Sequence, residues 1–95
     1  MAGDARSWTF LTNHAHVLVC LASDPEARVR DVAARVGITP RAAQSILNDL
    51  EAAGYLHRER VGRRNRYTIA STPHLRHPVE VHVRVGDLLR VLTDR

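Results

Sequence analysis

The run from Gly37 to Gly54 constrains this chain more than any other stretch, because it carries a helix stop, a helix start and a second stop in order. Gly37 follows an apolar-periodic segment, at the point where a chain leaving a helix commonly needs positive φ, which glycine adopts without steric cost. Ile38 is placed to plug the turn. Thr39 is a natural N-cap, since its side chain can accept a hydrogen bond from a free first-turn N–H. Pro40 then sits at the first helical position, where its fixed φ helps and its missing N–H costs nothing. Plotted at about 100° per residue, residues 40–53 divide into two faces. Ala43, Ile46, Leu47 and Leu50 cluster on one, which must be the core side. Arg41, Ser45 and Asn48 point the opposite way, with Gln44 and Asp49 on the flanks.

The upstream chain supplies the surface such a helix packs on. Residues 30–36 place Val32, Ala33 and Val36 on one face by i, i+3, i+4 spacing, and Val29 before them is a candidate for a short β contact with a later hairpin. Residues 15–22 form a mostly apolar helix, capped by Thr12 or Asn13, that ends near Ser23 before the Asp24-Pro25 turn. Trp8, Phe10 and Leu11 form the first large apolar group and are expected to be buried; residues 1–7 read as a frayed end.

Downstream, residues 55–61 and 66–70 read as two short strands joined across Gly62-Arg63-Arg64-Asn65, and the Tyr67/Ile69 alternation suits a half-buried strand. Residues 71–77 are a loop. The segment 78–93 is ambiguous: Val79, Val81, Val83 and Val85 alternate as a strand would, yet Val81, Val85, Leu88 and Leu92 also share a helical stripe. Its length and the Leu88-Leu89 and Val91-Leu92 pairs favour a helix that starts at Pro78. The expected fold is a single α+β domain over residues 1–95, mainly helical. A three-helix core with a β-hairpin occupies 8–77, and a C-terminal helix over 78–93 serves as a dimer element.

Charge points to a partner. The net charge is +4 and all 14 basic side chains are arginine. A GC-rich genome also produces that usage, so distribution carries the argument. Between Arg60 and Val79 no residue is acidic, while Arg60, Arg63, Arg64, Arg66 and Arg76 all fall there. A one-sided basic run is the electrostatic footprint of a phosphate-binding surface. A helix that packs by one face and offers hydrogen-bonding side chains on the other can enter a major groove, where Asn and Gln pair with adenine, Arg with guanine, and Ser with either. Arg41, Gln44, Ser45 and Asn48 form such a reading set, and Thr39 at the helix N-terminus adds a phosphate contact. The hairpin tip is small enough for a minor groove, where arginine is favoured by the enhanced negative potential. Arg58 and Arg60 share a strand face and are expected to line the backbone beside Arg63, Arg64 and Arg66.

The run from Val32 to Thr39, then Leu47-Asn48-Asp49-Leu50-Glu51-Ala52-Ala53-Gly54-Tyr55-Leu56, then Arg58 to Ile69 with its Arg66-Tyr67-Thr68-Ile69 close, resembles the winged helix-turn-helix of bacterial MarR/ArsR-type transcriptional regulators. The resemblance covers about half the chain. It implies a homodimer that binds a pseudo-palindromic operator through one helix per subunit. It also implies DNA contact at Arg41, Gln44, Ser45, Asn48 and the wing arginines.

The C-terminal segment is the expected dimer element, with Val81, Val85, Leu88, Leu89 and Leu92 facing a partner, Trp8 and Phe10 packing against it, and Gly86 permitting close approach. His16 and Cys20 lie one helical turn apart, but Cys20 sits within Val17-Leu18-Val19-Cys20-Leu21, where a free cysteine behaves as a small buried hydrophobe. No metal and no cofactor is expected, and nothing in the sequence indicates a small-molecule effector. No nucleophile–base set, paired carboxylates or Gly-rich phosphate loop stands out, so an enzyme is not expected. The rival reading is a winged helix used as a protein–protein adaptor, which would carry apolar or acidic residues on the wing and outer helix face. Cys20 alone, with no long apolar run and no signal-peptide pattern at the start, points to a reduced, cytoplasmic setting and no membrane.

Overall fold

The computed structural model describes residues 8–94, so the frayed end expected over 1–7 lies outside the described residues. Helix α1 spans Asn13–Ser23, α2 Val29–Val36 and α3 Pro40–Ala52; strands β1 (Leu56–Val61) and β2 (Arg64–Ile69) follow, then helix α4 (Val85–Thr93). This is the mainly helical α+β architecture expected, a winged helix-turn-helix with an additional C-terminal helix. Among the described residues no helix is long and apolar enough to cross a membrane.

The turn between α2 and α3 forms as its residues dictate. Gly37 takes φ 88°, and the N–H groups of Gly37 and Ile38 both donate to the Ala33 carbonyl, at 2.8 and 3.0 Å. Thr39 Oγ1 accepts from the Ala42 N–H at 3.0 Å, a cap worth about 1 kcal/mol. The inner face of α3 is then fully spent: Ala43, Ile46, Leu47 and Leu50 are all buried. Ile46, Leu47 and Leu50 pack in one cluster with Val17, Leu18 and Leu21 of α1 and Val32 of α2, with Tyr55, Leu56 and Tyr67 closing the core from the hairpin. Each large aliphatic side chain removed from water in this way contributes about 1.5–3 kcal/mol.

Several expectations are corrected. Thr12 occupies the N-cap position of α1 but makes no side-chain cap bond; Asn13 Oδ1 instead pairs with His16 Nδ1 at 3.0 Å. Val29 is the first residue of α2 rather than a β contact. The hairpin's link to that region comes one turn earlier, where the Tyr67 N–H donates to the Pro25 carbonyl at 2.8 Å. Trp8 and Phe10 are not buried but 68% and 92% exposed, stacked edge-to-face with centroids 5.0 Å apart. They precede α1, outside the space the helices enclose.

The C-terminal helix does not begin at Pro78. Residues 78–82 form turns, and α4 starts only at Val85. Long-range hydrogen bonds decide this: the Leu75 N–H donates to Val83 O at 2.9 Å and the Val85 N–H to Pro73 O at 2.8 Å, folding the segment back on itself around a single His74–Arg84 β-bridge. The buried Tyr55 donates its hydroxyl to the His74 carbonyl and pins the fold-back to the core. Gly86 does permit a close approach, but to its own chain. A Cβ there would lie 2.6 Å from the Ser71 Cβ, and the Gly86 N–H donates to Ser71 O at 3.0 Å.

Candidate nucleic-acid interface

With its inner face buried, α3 leaves Arg41, Ser45 and Asn48 exposed and Gln44 half-buried at the edge. Gln44 Nε2 donates to Asn48 Oδ1 at 3.1 Å, one turn apart. Thr39 and Arg41 are exposed at the start of the helix, although the Thr39 hydroxyl oxygen is engaged by its cap. On the flank nearer α1, Asp49 meets His14 Nε2 at 3.0 Å.

The hairpin pairs Leu56 with Ile69 through Val61 with Arg64, leaving only Gly62 and Arg63 in the turn. The connection is thus two residues rather than the four expected. Gly62 has φ 64° and Arg63 does not share the positive φ, the pattern of a type II′ turn, whose twist suits a tight hairpin. Strand alternation then sorts the arginines. Leu56, Arg58 and Arg60 share one face with Ile69, Tyr67 and Asn65; Arg64 and Arg66 lie on the other face, opposite Val61 and Glu59.

Their partners differ. Arg63, at the tip, is exposed and makes no hydrogen bond or ion pair among the described residues. Arg60 Nε donates to Gly62 O at 3.1 Å and braces the turn. Arg64 Nη1 donates to the Glu26 carbonyl at 3.4 Å, and Arg66 Nε lies 3.7 Å from the Glu26 carboxylate. Arg58 pairs with Glu51 at 2.9 Å. Sequence reasoning missed Glu26 and Glu51 as wing partners. Glu51 lies seven residues before Arg58, across the connection from helix to strand, and Glu26 is remote in sequence, so no spacing rule exposes either contact.

The expected dimer residues are divided as well. Val85 and Leu89 are buried within the protomer's own core at 2% and 7% exposure, so their apolar surface is already used. Leu88 and Leu92 are half-buried, while Val81 and Val91 are exposed. Between α1, the end of α3, the 75–80 segment and α4 lies an open cleft of about 640 Å³, lined by Phe10, Leu18, Leu50, Tyr55 and Leu88 among others. Cys20 is buried and unpaired with another cysteine, and the His16 ring is taken up by Asn13.

The MarR family model matches residues 9–66, a span that holds all three core helices and most of the hairpin. The chain belongs to the MarR family. No curated protein matches it in sequence. Among solved structures, it is similar to the PcaV transcriptional regulator of Streptomyces coelicolor in complex with its natural ligand, at 21% identity and TM-score 0.56, over 86% of this chain and 60% of that one. A MarR family protein of Mycobacterium tuberculosis in complex with salicylic acid aligns at 21% identity and TM-score 0.58, over 87% and 58%. MepR, a transcription regulator of the Staphylococcus aureus multidrug efflux pump MepA, aligns at 14% identity and TM-score 0.59, over 97% and 64%. The chain therefore spans about three-fifths of the length of these regulators. The MarR-family fold is that of transcription regulators, not enzymes.

Proposed function

We propose that this MarR-family chain is a sequence-specific regulator of transcription that binds double-stranded DNA, with α3 in the major groove and the wing on the backbone and adjacent minor groove. One observation carries the reading. The helix that spends Ala43, Ile46, Leu47 and Leu50 on the core leaves Arg41, Ser45 and Asn48 exposed, and the hairpin beyond it ends in an exposed Arg63 with no partner among the described residues. Arg41, Gln44, Ser45 and Asn48 read base edges; Thr39, Arg60, Arg63, Arg64 and Arg66 contact phosphate or minor groove. An adaptor would carry mainly apolar or acidic residues on these faces; apart from Glu59 and Val61 on the wing, they are polar and basic.

The same proposal includes a homodimer, as in regulators of this fold that read two half-sites related by a two-fold axis. The exposed Trp8, Phe10, Val81 and Val91, with the open edges of Leu88 and Leu92, are the apolar surface a second copy would cover. Selection of bound fragments from the source genome tests both statements together. Recovery of a short inverted repeat, protected over two successive major grooves, is expected; recovery of no common sequence would remove the sequence-specific reading.

A further inference from the structure

Arg58 stands third in β1, opposite Tyr67, on the hairpin face that carries the buried Leu56 and Tyr67. Its guanidinium does not join Arg63 at the wing tip. Nη2 donates instead to Oε1 of Glu51 in the last turn of α3, at 2.9 Å. The two side chains are 30% and 38% exposed, so bulk salt screens this pair less than a fully solvated one.

The pair spans the joint between the two DNA-facing elements. At the hairpin base the backbone is fixed, since the Tyr55 N–H donates to Leu50 O at 2.9 Å and the Ala70 N–H to Tyr55 O at 3.0 Å. Beyond that point the Tyr67 N–H bond to Pro25 O and the Arg64 and Arg66 contacts with Glu26 hold the hairpin to the α1–α2 loop, but among the described residues no backbone hydrogen bond joins the strands to α3. The Arg58–Glu51 contact is the side-chain tie across this gap. A helix in one groove and a wing in the next engage together only if the angle between them is kept, because a second contact gains its advantage from being held where the first one places it.

We infer that Glu51 and Arg58 are positioning residues that set the angle between the recognition helix and the wing, and that Arg58 is not one of the phosphate contacts. The inference rests on the DNA-binding reading for its consequence, but the tie itself can be measured without DNA.

The experiment compares the wild-type chain with Arg58→Met, Glu51→Gln and the charge-swapped Glu51→Arg/Arg58→Glu protein. Two quantities are read: affinity for a random-sequence duplex across a salt series, and amide hydrogen exchange of the hairpin without DNA. Each single variant is expected to bind about 2- to 5-fold more weakly, with the wild-type salt slope retained, and to exchange faster in the hairpin. The swap is expected to recover both. A slope lowered by about 0.9 in Arg58→Met, the signature of one lost phosphate contact, would overturn the inference, as would a swapped protein that binds worse than either single variant. If the wild type binds no DNA, the functional reading fails by itself. Hairpin exchange unchanged in both single variants would then overturn the positioning role separately.

Discussion

Gln44 donates from Nε2 to Oδ1 of Asn48 at 3.1 Å, so two side chains on the exposed edge of α3 are held as one unit. The bond uses one lone pair of the Asn48 carbonyl. Its Nδ2 hydrogens and the second lone pair remain for a base, which are the groups a bidentate adenine contact requires.

Asn48→Ala is therefore expected to lose about 1–3 kcal/mol of discrimination at one A·T base pair, while folding stability moves by less than about 0.5 kcal/mol. Gln44→Ala should weaken discrimination at the same base pair, and the double variant should lose less than the sum of the singles. Competition binding against duplexes substituted one base pair at a time checks this. Losses at two different, additive positions would show that the side chains read independently.

Arg63→Ala should remove charge without touching the fold, because this side chain has no partner among the described residues. The slope of log K against log salt is expected to fall by about 0.9 with an unchanged melting temperature. An unaltered slope would take the wing tip out of the interface.

Gly86 lies against Ser71, where an added Cβ would sit 2.6 Å from the Ser71 Cβ and 2.8 Å from its carbonyl oxygen. Gly86→Ala improves intrinsic helix propensity by about 1 kcal/mol, but the contact is with backbone and must be relieved by moving α4. The net effect expected is a destabilisation of about 1–3 kcal/mol. Denaturant unfolding decides the sign, and a more stable variant would show that α4 shifts freely.

Phe10 is 92% exposed and stacked on Trp8. Phe10→Ser should leave protomer stability within about 0.5 kcal/mol and raise the dimer dissociation constant about 10-fold or more, as expected of an aromatic anchor at an interface. Sedimentation equilibrium measures this. A monomeric wild type would remove the premise.

The parts of the fold legible in the sequence are those whose chemistry is local. Gly37, Thr39 and Pro40 specify a turn and a helix start by their own backbone preferences, and the spacing of Ala43, Ile46, Leu47 and Leu50 specifies which face is buried. The segment 74–84 is different: its shape comes from the Tyr55 hydroxyl on His74 O and from Leu75 pairing with Val83, contacts that no periodicity announces. Val85 and Leu89 were among the expected dimer residues, but hydrophobicity alone does not say whether the surface they meet is their own chain or another. Trp8 and Phe10 show the reverse error, since large apolar side chains are not always inside. In the candidate interface, the outer face of α3 followed from the same periodicity as its inner face. The division of the wing arginines did not, because Glu26 and Glu51 reach them only in three dimensions.

The central claim is that this chain holds duplex DNA through arginine and the outer face of α3. Fluorescence anisotropy of a labelled random duplex, titrated with the wild-type chain between low and physiological salt, tests it most directly. The account predicts that log K falls linearly with log salt, with a slope of about 0.9 per phosphate contacted, and that Arg63→Ala with Arg64→Ala makes the slope shallower. Weak binding that ignores salt, unchanged by those two substitutions, would contradict it.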